Sequence, residues 1–364
     1  MIRRRAPGKL FLAGEYAVLQ PGHPAVVVAV DRCATVTIAE THCGETILVS
    51  DLGGGTRIRC LRDGGRLVPA PGHSDENFEY ILSAANVVEQ LVLESGGRPQ
   101  PFTATATGAD LTDGSGRKLG LGSSAAITVA MVAALSAFYR LPLTPFDRYR
   151  LAMLATLAID ARASGGDIAA ATWGGWIAYH SPDRARIQEL AGTVTGALRA
   201  DWPGLSVRPL PAPHRTRLLA GWTGQPASTS TLTGRTGGNH RSIRAHPTFL
   251  AGTTACVERL ITAVGADDVL GVQREIRRAR TLLEDLDAVA GLGIRTPELD
   301  ALCTAADIVG IAAKSSGAGG GDCGIAVVDR DRPEQAAALI RRWSAAGIRH
   351  LPLQVYLGDS NAAE

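Results

Sequence analysis

The stretch Gly116-Arg-Lys-Leu-Gly-Leu-Gly-Ser-Ser-Ala-Ala-Ile-Thr-Val-Ala130 carries a glycine-punctuated loop straight into an apolar helix. Its chemistry is that of an anion cradle. Gly120 and Gly122 bring no side chains, so backbone N–H groups along Gly120, Leu121, Gly122, Ser123, Ser124 and Ala125 can close on a phosphate. The helix that opens near Ser123 adds its free amides and positive dipole end. Lys118 supplies a movable ammonium, and the hydroxyl of Ser124 or Ser123 is a hard oxygen suited to Mg²⁺.

Other reactive groups sit at similar breaks in the chain. Lys9 follows Pro7-Gly8, Asp167 follows Ser164-Gly165-Gly166, and Lys314 opens Lys314-Ser-Ser-Gly-Ala-Gly-Gly-Gly-Asp-Cys-Gly324. Of 37 Lys plus Arg residues only Lys9, Lys118 and Lys314 are lysines. All three stand beside glycine-rich stretches, where a compact ammonium on a flexible stem reaches a phosphate differently from a planar guanidinium. Asp167 stands just before the helix-like run Ile168-Ala-Ala-Ala171, so an active-site role and a capping role are both open. Ser228, Thr229 and Ser230 read either as a hydroxyl cluster for a substrate phosphate or carboxylate, or as a simple turn. The histidines show no ligand spacing, and the six cysteines form no CxxC pair, as expected of reduced thiols in a cytoplasmic protein.

Positioning these groups takes a mixed set of elements. Strands are expected over Leu10–Leu12, Ala25–Val30, Ala34–Ala39, Phe102–Thr107, Leu218–Trp222, Cys323–Val328 and Leu351–Leu357. Helices are expected from a Ser74 or Asp75 cap to Glu94, over the cradle helix to Phe138, from Thr144-Pro145, and over Pro247–Val264, Asp267–Ala290, Pro297–Val309 and Pro333–Ala346. Without regular βαβ repeats the class is α+β. A chain of 364 residues exceeds one ordinary core, and the loop-rich run from about Ser181 to Arg217 suggests a hinge between domains at 1–185 and 186–364.

Composition excludes several classes. With 45% hydrophobic and 20% charged residues the chain is neither disordered nor fibrous. A net charge of +2 gives no bulk drive towards nucleic acid or membrane, so the expected partner is a small molecule, with the protein a monomer or homodimer. Met1-Ile-Arg-Arg-Arg5 imitates a signal peptide, but Pro7, Gly8, Lys9 and Gly14 break any apolar core and no secretion is expected. Gly120-Leu-Gly-Ser-Ser-Ala125 also fits the dinucleotide pattern GxGxxA, but a polar loop precedes it where that pattern requires a strand.

In order and spacing, Pro7-Gly-Lys-Leu-Phe-Leu-Ala-Gly-Glu-Tyr16, Gly120-Leu-Gly-Ser-Ser-Ala-Ala126 and the Lys314–Gly324 stretch resemble the three motifs of the GHMP small-molecule kinases. The resemblance spans nearly the whole chain. It implies the GHMP kinase fold, with an N-terminal domain like ribosomal protein S5 domain 2 and a ferredoxin-like C-terminal domain, and ATP and Mg²⁺ as cofactors. Gly14-Glu-Tyr-Ala-Val-Leu19, Gly221-Trp-Thr-Gly-Gln-Pro-Ala-Ser-Thr-Ser230 and the Gly-Asp-Cys-Gly ending of the third motif are similar to the branch acting on 5-phosphomevalonate. That branch forms 5-diphosphomevalonate and ADP on the mevalonate route to isopentenyl diphosphate. The alternative is a mevalonate kinase or another family member with an alcohol acceptor.

By the same resemblance Lys9 bridges acceptor and transferred phosphate, Lys118 neutralises the nucleotide phosphates, and Asp167 is the active-site aspartate. Ser164, Gly165 and Gly166 would hydrogen-bond substrate, Ala318 and Gly319 would pack backbone against the phosphates, and Tyr16 either binds substrate or belongs to the core. Alcohol-phosphorylating relatives carry a Mg²⁺-binding glutamate about three helical turns before the aspartate. Here Thr156 stands there with Asp160 the nearest acid, which leaves Ser124 as the metal ligand. A phosphomonoester has its second pKa near ~6, so its attacking oxygen is already ionised and needs no general base. Asp167 is therefore expected to orient Lys9 and the acceptor, whereas an alcohol acceptor would need it as a base.

Overall fold

A computed structural model describes residues 1–41, 44–51, 55–74, 76–190, 192–225 and 246–358. The β-branched, alternating opening of the chain forms two long antiparallel strands, β1 (Ile2–Ala13) and β2 (Pro24–Glu40). Their register shifts at Pro7/Gly8, immediately before Lys9, and such a bulge re-aims the side chains that follow it. Next come β3 (Thr46–Ser50), β4 (Thr56–Asp63), β5 (Arg66–Pro69), α1 (Glu79–Glu94) and β6 (Phe102–Thr107). After them run α2 (Ser123–Phe138), α3 (Pro145–Leu157), α4 (Gly166–Trp173) and β7 (Trp176–His180).

The second half begins with α5 (Arg184–Leu190), α6 (Val194–Arg199), β8 (Ser206–Leu210) and β9 (Thr216–Trp222). It continues with α7 (Pro247–Gly265), α8 (Val269–Ala290), α9 (Pro297–Ile308), β10 (Ala312–Ser315), β11 (Cys323–Asp329), α10 (Pro333–Ala345) and β12 (Arg349–Leu351).

Two sheets result. The first runs β5-β4-β3-β6-β2-β7-β8 with β1 paired to β2, and only its β3–β6 contact is parallel; the second runs β10-β11-β9-β12, all antiparallel. Helix α2 is buried on nearly every side, which fits its unbroken apolar sequence. Alternation along β11 separates two apolar clusters: Ile325 and Val327 join the large core shared with α7 and α8, while Ala326 and Val328 join Leu302, Leu339 and Trp343 of α9 and α10. Local signals set several boundaries. Thr144 and Asp147 form a reciprocal capping box, and Thr296 and Asp268 cap α9 and α8 through their side chains.

Three expectations change. The 181–217 run is not a plain loop: it holds α5, α6 and β8, and β8 extends the first sheet by pairing with β7. Helix α1 starts at Glu79 rather than at a Ser74 cap, and Asp75 lies outside the described residues. The last strand stops at Leu351, after which the chain crosses to the first sheet, where Tyr356 N–H donates to Ala29 O at 3.0 Å and Val355 bridges Val30. The hydropathy of 351–357 carries no sign of that change of partner.

Candidate active site

A cleft of about 440 Å³ opens where the three glycine-rich segments meet. Strand β1 delivers Lys9 to it. A Cβ on Gly8 would lie 2.8 Å from Leu121 O, and this bare approach lets Lys9 N–H donate to the same oxygen at 2.8 Å. The Lys9 ammonium donates to Gly120 O at 3.2 Å and lies 5.7 Å from the Phe11 ring centre.

Gly122 is the N-cap of α2 with φ 81°, a left-handed conformation that glycine adopts freely. A Cβ there would sit 3.2 Å from Lys9 Cε and 3.7 Å from Asp167 Cβ, so the two charged residues meet over Gly122. From the third loop, the Cβ position of Gly317 is 3.7 Å from Lys9 Nζ. All three motifs therefore touch one ammonium.

Asp167 does not take the capping position that the sequence left open for it. Gly165 is the N-cap of α4, and Asp167 stands in the first turn, where its carboxylate accepts Ile168 N–H at 2.9 Å and meets the positive end of the helix. Two fully buried tyrosines support this turn. Tyr149 and Tyr179 join through their hydroxyls at 2.8 Å, and Tyr179 donates to Ser164 O at 2.5 Å. Burial, the dominant cause, raises both phenols above the ordinary range and keeps them protonated. A Cβ on Gly165 would come within 2.7 Å of Tyr149 Oη and 2.8 Å of Tyr179 Oη, and one on Gly166 within 2.9 Å of Phe11 Cζ.

Lys9, Tyr16, Lys118, Gly120, Leu121, Gly122, Ser123, Ser124, Ala125, Ser164, Asp167 and Ala318 all line the cleft. Gly165, Gly166 and Gly319 do not; Gly319 instead packs on Ile294, whose oxygen lies 2.5 Å from its Cβ position. Ser228, Thr229 and Ser230, like Arg241 and Arg244, lie outside the described residues. Tyr16 joins both readings made of it: it is buried, yet its hydroxyl reaches Ala318 O at 2.5 Å on the cleft wall.

Several lining residues escaped the sequence. Asp322 packs so closely on Gly120 that a Cβ there would lie 2.4 Å from its Cβ, and the next residue, Cys323, donates Sγ–H to Leu119 O at 3.0 Å. Gly120 thus admits the third loop as well as freeing backbone amides. Arg117 stacks on Trp222 of β9 at 5.0 Å and donates to Gly224 O at 3.3 Å, which ties the cradle loop to the second sheet. Tyr80 and Arg162 also line the cleft; burial, then the charges of Asp160 and Asp167, raises the Tyr80 phenol. The Gly-Asp-Cys-Gly ending was the one signal for Asp322, while nothing in the spacing marks Tyr80 or Arg162.

Lys314 departs from the sequence reading. It is fully buried on β10, donates to Glu15 Oε1 and to Ser315 O, and does not line the cleft. Its charge is already matched by a carboxylate, so it is no phosphate ligand.

The oxygens present suit Mg²⁺. Thr156 Oγ1 is buried without a partner among the described residues, and Thr156 lines the same cleft as Ser124 and Asp160, a hard-oxygen set with one carboxylate. No group of three His, Cys, Asp or Glu side chains able to hold a metal occurs among the described residues, so much of the coordination would fall to water and phosphate.

Comparison with known proteins places this geometry. The family pattern described as GHMP kinases N terminal domain matches residues 79–175, and that described as GHMP kinases C terminal matches residues 263–349. The chain is 47% identical to the phosphomevalonate kinase of Streptomyces sp. (strain CL190), over 97% of this chain and 96% of that one. It is 26% identical to the mevalonate kinase of Thermococcus sibiricus, over 92% of this chain and 91% of that one. Among solved structures, Streptococcus pneumoniae phosphomevalonate kinase in complex with phosphomevalonate and AMPPNP superimposes with a TM-score of 0.84 at 27% identity, covering 98% of this chain and all of that one.

Proposed function

The chain belongs to the GHMP kinases, and from that premise we propose that it transfers the γ-phosphoryl group of ATP to 5-phosphomevalonate, releasing 5-diphosphomevalonate and ADP. The observation that carries this reading is the setting of Lys9, held by Gly120 O and walled by Gly122, Asp167 and Gly317. An ammonium there lies between the nucleotide cradle and the third loop. It can touch both the acceptor phosphate and the group in transfer. Identity of 47% over almost the full length to a phosphomevalonate kinase supports the phosphorylated acceptor over mevalonate.

The reaction brings two polyanions together, and its transition state is helped chiefly by positioning and charge. The free amides at the start of α2 face the nucleotide phosphates, and exposed Lys118 swings in to neutralise them. Mg²⁺, held by Ser124 with Thr156 and Asp160 in reach, would supply charge neutralisation. The acceptor oxygen arrives ionised, so Asp167 serves to orient Lys9 and the acceptor rather than to take a proton. Ser164, fixed by Tyr179, contacts the acceptor, and Ala318 offers backbone at the opposite motif. Residues 1–185 provide the cradle and Lys9, and residues 186–364 bring the third loop over them. A cytoplasmic setting suits ATP use and the five described cysteines, none of which forms a disulfide.

The test is coupled ADP release with Mg-ATP and matched concentrations of mevalonate or 5-phosphomevalonate. Strong preference for the phosphorylated acceptor is expected. Preference for mevalonate would keep the nucleotide site but make Asp167 a base.

A further inference from the structure

Lys314 and Glu15 form a buried ion pair that the transfer step above does not use. Glu15 Oε1 accepts from the Lys314 ammonium and from Gly317 N–H at 3.3 Å, and Glu15 itself lines the cleft. Two more contacts run in parallel. Ser316 Oγ accepts Phe11 N–H at 2.8 Å and donates to Phe11 O at 3.1 Å, both inside the protein. Tyr16 Oη donates to Ala318 O at 2.5 Å from a residue whose φ is 62°, an uncommon left-handed setting for a side chain of that size. Every residue from Lys314 to Ala318 except Ser315 is thus bonded to the Phe11–Tyr16 segment, which begins two residues after Lys9.

We infer that Lys314 is a positioning residue: paired with Glu15, it bolts the third loop to the turn that follows β1 and so sets how closely the Gly317–Ala318 backbone stands over the Lys9 ammonium. Charge gives the pair a second duty. The cleft must admit two polyanions, and an unmatched Glu15 carboxylate on its wall would repel both. Lys314 cancels that charge from behind without occupying the site. Glu15 Oε2 has no partner among the described residues, so without the lysine the carboxylate would keep only the long Gly317 N–H contact. The groups facing the pair are Lys9 on β1, Tyr16 on its own turn, Asp287 of α8, which acts on Tyr16, and Cys256 of α7 with Glu275 of α8, since Cys256 feels both Lys314 and Glu275. Arg259 of α7 also acts on Cys256 but is paired with Glu275, and Lys9 is committed to the cleft.

This inference rests on the phosphoryl-transfer reading, so wild-type turnover of 5-phosphomevalonate is measured first; its failure would remove that reading and leave the pair untouched. Lys314→Met, Lys314→Met/Glu15→Gln and Ser316→Ala are then compared per folded molecule. Misplacing reacting groups by about 1 Å can cost ~100-fold, and that loss of kcat is expected for Lys314→Met, with KM for ATP within about threefold. The double variant, which leaves no unmatched charge on the cleft wall, recovers at least about tenfold. Lys314→Met as active as wild type, or a double variant no better than the single, overturns the inference. Where Lys314→Met does not fold, Ser316→Ala decides: a tenfold or larger fall in kcat at unchanged KM for ATP upholds the bolt, and unchanged kcat refutes it.

Discussion

Gly122→Ala separates two roles that a glycine in a phosphate loop can play. Its φ of 81° costs an alanine about 1–2 kcal/mol, which lowers the melting temperature by roughly 1–3 °C in a chain of this size. The added methyl also arrives 3.2 Å from Lys9 Cε and 3.3 Å from Lys9 Cγ, inside ordinary carbon contact, so the lysine stem must retreat by a few tenths of an ångström. Since ~1 Å of misplacement costs ~100-fold, this smaller retreat is expected to lower kcat about tenfold. Gly310→Ala is the matched control: it has φ 75° and nothing within 4 Å of its Cβ position, so it should lose similar stability and keep its kcat. Thermal unfolding followed by coupled ADP release on both variants reads the two effects apart. If the two variants show the same kcat, Gly122 serves backbone conformation alone and does not set the position of Lys9.

Other expectations follow from the surroundings of the site. Tyr179→Phe removes the donor to Ser164 O and the partner of Tyr149, which should cost about 1–2 kcal/mol of stability and raise KM for the acceptor several-fold while KM for ATP holds. Unchanged acceptor KM would detach the tyrosine pair from the substrate turn. Burial holds His23 and His180 below the ordinary histidine value of 6.5. The unfolded chain therefore binds these protons first as pH falls, so their contribution to stability is full above about pH 6.5 and is lost below it. Melting temperature should drop between pH 7.5 and 5.5, and His23→Gln/His180→Gln should flatten that drop.

Much of the fold was legible because its elements carry local signals. Thr144 with Pro145 and Thr296 announce helix starts through their own side chains, the alternation of Ala34–Ala39 in β2 marks a strand, and the continuous apolar run of β11 fits a strand buried on both faces. Where tertiary partners decide, the sequence was silent. Residues 206–210 are mostly exposed and carry a proline, yet β8 is held as an edge strand by β7. Beyond β12 the chain reaches the first sheet, where Val355 and Tyr356 meet Val30 and Ala29 of β2 just past the end of its pairing with β7, which no periodicity encodes.

Site residues divide along the same line. Lys9, Lys118 and Ser124 were picked by residue type beside glycine and Asp167 through the family resemblance, and all line one cleft. Lys314 shares that sequence context but points into the core, because Glu15 from a segment about 300 positions away in the chain meets it there. Asp322 went unnoticed since its importance lies in contact with Gly120, a long-range packing fact. Gly165 and Gly166 are glycines for the sake of Tyr149, Tyr179 and Phe11, which the local sequence does not reveal.

The central claim is that transfer runs on positioned cations with no proton to abstract. Single-turnover phosphoryl transfer by Lys9→Ala and Asp167→Asn, measured side by side on 5-phosphomevalonate, tests it most directly. Lys9→Ala is predicted to lose on the order of 100- to 1,000-fold in rate with the fold retained, and Asp167→Asn distinctly less. A far greater loss in Asp167→Asn would make the aspartate a true base and contradict the account.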